Sequence, residues 1–136
     1  MFDLARDYGE ATHIAIAPAA QAGEGALSAA AGLFQTLGMV VCPVDDGAGL
    51  IGLRTLAMIA NEAISAVDTG VCSPADLDTA MMKGTNWPEG PVAWSERVGL
   101  GVLLEAMDNL GNVFRSDRYR AQPLLRRAAA AGQKVL

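Results

Sequence analysis

Leu50-Ile51-Gly52-Leu53-Arg54-Thr55-Leu56-Ala57-Met58-Ile59-Ala60-Asn61-Glu62-Ala63-Ile64-Ser65-Ala66-Val67-Asp68-Thr69 is the stretch on which the reading of the fold turns. Leu53, Leu56, Ala57, Ala60, Ala63, Ile64 and Val67 recur three and four residues apart, which gathers them on one side of a helix and predicts a continuous apolar face. Gly70 follows where a left-handed C-cap belongs. Asp45-Asp46-Gly47-Ala48-Gly49, just before, reads as a turn.

The helical habit continues downstream. Ser73 can cap a helix, Pro74 suits its first position, and Asp76 sits where a capping-box acid belongs. Asp76 and Asp78 both favour the positive end of that helix, which is expected to run to about Lys83 and stop at Gly84. Thr85 to Pro91 is a Gly/Pro-rich loop carrying Trp87. A long helix is expected from about Val92 to Phe114, with Trp94, Val98, Val102, Leu103, Ala106 and Leu110 facing inward. Gly99, Gly101 and Gly111 are its weak points, able to bend it or to allow close packing. Ser116 and Asp117 read as loop, and Pro123 to Ala131 as a short last helix ended by Gly132.

Upstream the pattern changes. Thr12-His13-Ile14-Ala15-Ile16 alternates weakly, as a short strand does, and Pro18 ends it. Glu24 to Leu37 is an Ala-rich helix stopped by Gly38. Met39 to Val44 is a second short apolar strand. Together they form a small βαβ-like unit with too few strands to stand as a domain. The expected organisation is a βαβ-like linker or remnant of a nucleotide fold over 1–45, then a helical domain over 46–136. The fold class is mainly α.

Composition narrows the function. The chain has 136 residues, enough for one compact domain, and 51% are hydrophobic while only 5% are aromatic. Small apolar side chains in that excess favour closely packed helices over an aromatic-rich β-sandwich. The net charge of −5 argues against a nucleic-acid partner and against an anionic membrane surface. Gly25 to Val44 carries no charge, but its Ser28, Gln35, Thr36 and Pro43 mark a helix and a buried strand and not a membrane span. The N-terminus has early acids and no apolar core, unlike a signal peptide. Cys42 and Cys72 stand without a Cys-x-x-Cys or a Cys/His cluster, so they read as two half-buried small hydrophobes in a reduced cytoplasmic protein, with no zinc site.

From Asp46 onward the motifs, in order and spacing, are similar to those of the C-terminal domain of 3-hydroxyacyl-CoA dehydrogenases. Asp46 to Arg54 resembles the family's opening signature, and Asn61-Glu62-Ala63 a motif further along the same helix. Trp87-Pro88-Glu89-Gly90-Pro91-Val92-Ala93-Trp94 resembles its Pro-x-Gly-Pro stretch. Arg118-Tyr119-Arg120 and Pro123-Leu124-Leu125-Arg126 complete the series. The likeness is strongest to the second C-terminal domain of two-C-domain members, such as the 3-hydroxyadipyl-CoA dehydrogenases of phenylacetate breakdown, and extends to the 3-hydroxybutyryl-CoA dehydrogenases. It implies a helical domain like the C-terminal domain of 6-phosphogluconate dehydrogenase. The implied parent enzyme oxidises a 3-hydroxyacyl-CoA to a 3-oxoacyl-CoA with NAD. The family-motif residues carried over, as structural or substrate-side groups, are Arg54, Asn61, Glu62, Pro88, Gly90, Pro91, Trp94, Tyr119, Arg120 and Arg126.

One departure from the family bears on the chemistry. Reacting copies end the opening signature in Asn-Arg, and that Asn helps place the substrate. Here the position is Leu53, whose side chain neither donates nor accepts a hydrogen bond. The resemblance therefore implies no catalytic, cofactor-binding or metal residue in this stretch, with NAD held elsewhere in the parent. Gly47-Ala48-Gly49-Leu50-Ile51-Gly52 fits Gly-x-Gly-x-x-Gly by letter, but no further strand with a ribose-binding acid follows, so it reads as a turn and a helix start. His13, the sole histidine, has no evident acid partner and reads as a surface or half-buried structural residue. Glu62 is either a polar anchor at a substrate cleft or, the favoured reading, a structural hydrogen bond or salt bridge to another helix. Arg115, Arg118, Arg120, Arg126 and Arg127 either meet CoA phosphates or partner acids, or, as favoured, form a solvated face with Arg118 and Arg120 tied to nearby carboxylates. The apolar faces of Leu50 to Val67 and Val92 to Leu110 call for a partner: the first C-terminal domain of the parent or a second copy. A reading from another class is a free-standing, non-catalytic helical interaction or regulatory module.

Overall fold

The computed structural model describes residues 1–135. The chain is helical over most of its length and divides into two compact units, Met1–Leu53 and Arg54–Leu136. The expectation of a mainly α chain preceded by a small βαβ segment therefore holds.

In the first unit, strand β1 (His13–Ile16) pairs in parallel with β2 (Val40–Pro43), His13 opposite Val40 and Ile16 opposite Pro43. Helix α1 (Ala26–Thr36) connects them. On its other side β1 takes the N-terminal residues: Asp3 N–H donates to the Ala15 carbonyl at 2.9 Å, and Ala17 N–H to that of Met1 at 3.0 Å. Val40 and Val44 donate to the carbonyls of Thr12 and Ile16, so the residues between them, Val41 and Pro43, turn their backbone outward. Pro43 has no N–H to offer there, which ends the sheet at β2. Ile14, Ile16 and Ala17 are buried. Helix α1 buries no residue, and its Leu33 is 60% exposed. Cys42 is exposed and not half-buried as expected, because β2 is an edge strand with nothing beyond it in this unit; Cys72 is half-buried, and both are free thiols.

The second unit holds all but the first two residues of α2 (Gly52–Asp68), then α3 (Pro74–Gly84), α4 (Pro91–Val98), α5 (Leu100–Phe114), a 3₁₀ turn at Asp117–Tyr119 and α6 (Pro123–Ala131). Its core is aliphatic: Leu56, Ala60 and Ile64 from α2, Leu103, Met107 and Leu110 from α5, and Leu125 from α6. Among the described residues no helix is long and apolar enough to cross a membrane.

The single helix expected over Val92 to Phe114 is two. Gly99 adopts φ 105°, ψ 121°, serving as C-cap of α4 and N-cap of α5; a side chain at that φ would be strained, so glycine is what permits the break. The break resets the helical phase. Leu100, Leu103, Ala106, Met107 and Leu110 turn inward, and Val102, about a quarter turn away from the middle of that face, is 48% exposed instead of buried.

Ser73 caps α3 as expected, its hydroxyl accepting from Asp76 N–H at 3.2 Å and donating to the Asp76 carboxylate at 2.7 Å. Asp78 has a different role from the one its position suggests. It is buried, and its carboxylate accepts from Val92 N–H at 2.8 Å and Ala93 N–H at 3.0 Å. It therefore caps α4, whose own N-cap, Gly90, has no side chain to do so. A Cβ on Gly90 would lie 2.2 Å from Asp78 Cγ and 2.4 Å from Asp78 Cβ. The Gly-Pro pair at 90–91 is thus a seat for Asp78, with Pro91 at a helix start where a missing N–H costs nothing.

Candidate functional site

Asn61 and Glu62 are neighbours on α2 with opposite environments, since adjacent helical residues point about 100° apart. Asn61 is 1% exposed. Its Nδ2 donates to the Arg120 carbonyl at 3.1 Å and its Oδ1 accepts from Gln122 N–H at 2.8 Å. One side chain thereby satisfies a donor and an acceptor of the extended segment that leads into α6.

Glu62 faces outward between two adjoining hollows. One, of about 390 Å³, is lined by Met58, Ile59, Ala63, Leu77, Met81 and Pro91 besides Glu62 and is almost wholly apolar. The other, of about 440 Å³, is lined by Met58, Glu62, Asp117, Arg118, Arg120 and Gln122. Glu62 is exposed and makes no hydrogen bond or salt bridge among the described residues, so the favoured structural bond is not formed. The five arginines divide. Arg126 is fastened to Asp108 and Arg127 to Asp68 at 3.1 Å. The guanidinium groups of Arg115, Arg118 and Arg120 have no carboxylate partner among the described residues, contrary to the expectation for Arg118 and Arg120. The reason is geometric: Asn61 holds the backbone at Arg120 and Gln122, which leaves the flanking arginine side chains at the mouth of the hollow.

Arg54 lies with its guanidinium 4.8 Å from the centre of the Phe114 ring and 5.3 Å from that of Tyr119, and donates to the Tyr119 hydroxyl. Tyr119 is 4% exposed, and the two rings stack at 5.2 Å. This joins the start of α2 to the end of α5 and the 3₁₀ turn through a cation–π contact and a hydrogen bond. Trp94 and Trp87 pack together, ring centres 6.3 Å apart. Pro88 is exposed beside Glu89, which pairs with Arg97 at 2.6 Å. The Arg126 pKa is raised above the ordinary arginine value, first by its hydrogen bond to Asp108.

The remaining candidates lie in the first unit. His13 is exposed, its Nδ1 2.9 Å from Thr12 Oγ1, with no carboxylate bonded to the ring among the described residues. The side chain of Leu53 is half-buried. The N–H groups of Ile51, Gly52 and Leu53, at the Gly-x-Gly-x-x-Gly turn, all donate to the Asp3 carboxylate. Sequence reasoning missed Asp3 and Asp78. For Asp78 a signal existed: a helix that starts Gly-Pro brings no capping side chain of its own and must borrow one. For Asp3, 48 to 50 residues from its partners, none did.

The model of the 3-hydroxyacyl-CoA dehydrogenase C-terminal domain matches residues 49–135, and that of the 3-hydroxybutyryl-CoA dehydrogenase reduced Rossmann-fold domain matches residues 1–47. The 3-hydroxyadipyl-CoA dehydrogenase of Escherichia coli K12 is 40% identical over 116 residues, 85% of this chain and 24% of that protein. A probable 3-hydroxybutyryl-CoA dehydrogenase of Bacillus subtilis is 36% identical over 74% of this chain and 35% of its own length. The crystal structure of 3-hydroxybutyryl-CoA dehydrogenase from Escherichia coli K12 superposes with a TM-score of 0.83 at 38% identity, covering 88% of this chain and 25% of that one. The chain thus spans about a quarter to a third of the curated relatives it matches. With the family's C-terminal domain recognised over most of its length, this chain belongs to the 3-hydroxyacyl-CoA dehydrogenases, of which it represents the C-terminal part.

Proposed function

We propose that the complete protein is an NAD-dependent 3-hydroxyacyl-CoA dehydrogenase, acting in fatty-acid or phenylacetate-type breakdown in the cytoplasm. In this reading the present chain is its supporting domain: residues 1–45 are a remnant of a nucleotide fold and residues 46–136 the helical scaffold. The observation that carries this is Leu53. The position where reacting copies use an amide has only hydrocarbon, so it cannot hold a polar substrate group in place. His13 adds nothing to the contrary, since a catalytic base needs a partner to orient it and its ring neighbour is a hydroxyl. The residues present do not fit NAD: the N–H groups that would meet a pyrophosphate are bonded to Asp3, and α2 is followed by a further helix and not by a strand with a ribose-binding acid.

The family-motif residues then divide by what they do. Asn61, Arg54, Tyr119, Gly90, Pro91, Trp94 and Arg126 hold the domain together, and Pro88 shapes the loop before α4. Glu62 and Arg120, with Arg118, border a docking face whose apolar part is Met58, Ile59, Leu77 and Met81. Its occupant in this reading is the first C-terminal domain of the parent, or a second copy when that is missing, with acids to meet the arginines. The acyl-CoA substrate belongs to the complete enzyme.

The test is the NAD-dependent oxidation of 3-hydroxybutyryl-CoA by the complete gene product. Leu53→Ala should leave kcat/KM within about twofold, whereas in the 136-residue chain alone, where a second copy takes the place of the first C-terminal domain, Met58→Asp in the docking face should weaken the self-association seen by light scattering. A hundredfold loss of kcat in Leu53→Ala with the fold intact would place the reacting centre here and overturn the reading.

A further inference from the structure

The surface charges of α6 are paired: Arg126 is fastened to Asp108, and Arg127 to Asp68 at 3.1 Å. Glu62, Arg118 and Arg120 are not. All three are exposed, and none of their side chains makes a hydrogen bond or ion pair among the described residues. They border one hollow of about 440 Å³, whose rim also carries Asp117. Two acids and two arginines leave that rim without net charge, so it has no field to draw in a polyanion or an acidic peptide. The hollow shares Met58 and Glu62 with the apolar one of about 390 Å³, where Ile59, Leu77 and Met81 are half-buried. A face with an apolar part and unpaired charges of both signs carries its own complement. An isologous two-fold contact needs that property, because each group must meet its opposite on the other copy.

We infer that Glu62, Arg118 and Arg120 form a charge key that closes only between molecules. Glu62 of one copy pairs with Arg118 and Arg120 of a second copy of this chain, and the reverse, on either side of an apolar contact around Met58. This rests on the docking face proposed above and adds to it which side chains set the register. Apolar contact through Met58, Ile59, Leu77 and Met81 supplies attraction without direction. The charges supply direction, since a shifted approach sets like charges together. Such pairs contribute little in water and more once the contact excludes it. The arrangement also gives Asn61 and Glu62 one purpose. The amide fixes the backbone at Arg120 and Gln122, and so the place where the arginines stand; the acid beside it receives the arginines of the other copy.

The experiment is sedimentation velocity on the 136-residue chain from micromolar to millimolar concentration, with circular dichroism to check that each variant is folded. The unaltered chain should self-associate, more weakly as salt is raised. Glu62→Arg, and separately Arg118→Glu combined with Arg120→Glu, should each raise the dimer Kd by about tenfold or more, because like charges then face each other twice. Mixed in equal amounts, the two variants should form a heterodimer with a Kd within about threefold of the unaltered dimer, since each supplies the charge that the other lost. A merely structural role for these side chains would give no such restoration on mixing. A Kd unmoved by either variant, a loss that mixing does not restore, or an unaltered chain that stays monomeric throughout would each overturn the inference. Met58→Asp separates it from the docking face: if that variant dissociates the chain and the charge variants do not, the face stands and the charge key is wrong.

Discussion

Asp76 and Asp78 lie two residues apart on α3, and the structure assigns them unequal weight. Replacing Asp78 with asparagine keeps volume and shape but leaves only one acceptor oxygen. An NH₂ group then points at either Val92 N–H or Ala93 N–H, which the carboxylate meets at 2.8 and 3.0 Å. A hydrogen bond to a charged group is worth about 1.5–3 kcal/mol net. One is lost outright and the other becomes a neutral bond, so Asp78→Asn should cost about 2–4 kcal/mol. At roughly 3 °C per kcal/mol for a chain of this size, the melting temperature should fall by about 6–12 °C. Asp76→Asn removes an exposed acceptor and should cost about 0.5 kcal/mol. Urea unfolding followed by tryptophan fluorescence is the assay, because Trp87 and Trp94 flank Gly90 and Pro91 and report on that junction. Gly90→Ala is the companion variant: its methyl would meet the Cβ of Asp78, which no rotamer of Asp78 removes. A cost near 3 kcal/mol or more is expected. Equal losses below about 0.5 kcal/mol for Asp76→Asn and Asp78→Asn would show that Asp78 does not cap α4.

Asn61→Ala strands a part-buried carbonyl at Arg120 and an N–H at Gln122, and should lower stability by about 1–3 kcal/mol in urea denaturation. Leu50 holds φ 45°, a left-handed conformation that costs a side chain about 1–2 kcal/mol; Leu50→Gly should raise stability by about 0.5 kcal/mol in the same assay, because the extra freedom of an unfolded glycine offsets part of the gain. Arg126 has its pKa raised by Asp108, so the stability it contributes is present at every pH below the ordinary arginine range and is lost only as pH climbs through the raised value. The difference in melting temperature between the unaltered chain and Arg126→Ala should be small, since the pair is exposed, and flat from roughly pH 6 to 9.

The helices could be read from local chemistry because each carries its own signals: the alanine-lined face of α2, Ser73 and Pro74 opening α3, Pro123 and Gly132 bracketing α6. The break at Gly99 was visible only as a weak point, since a glycine allows a left-handed conformation without dictating it and helical periodicity on either side hides the change of phase. The family motifs could be found by letter, but their roles could not. Whether Asn61 bonds a distant backbone, or Asp78 caps the next helix and not its own, depends on contacts that no spacing rule encodes. The apolar face of α2 was legible in outline; the freedom of Glu62, Arg118 and Arg120 was not, because pairing of surface charges depends on side-chain placement and not on composition. The exposure of Cys42 is hidden for a related reason: the strand is evident in the sequence, but that it lies at an edge closed by Pro43 is a property of the sheet.

In its proposed role this chain supports a dehydrogenase without holding the nicotinamide cofactor. Isothermal titration of NADH into the 136-residue chain tests it most directly. No heat beyond dilution is expected up to millimolar NADH; saturable one-to-one binding in the micromolar range, abolished by Gly49→Asp in the Gly-x-Gly-x-x-Gly turn, would overturn that role.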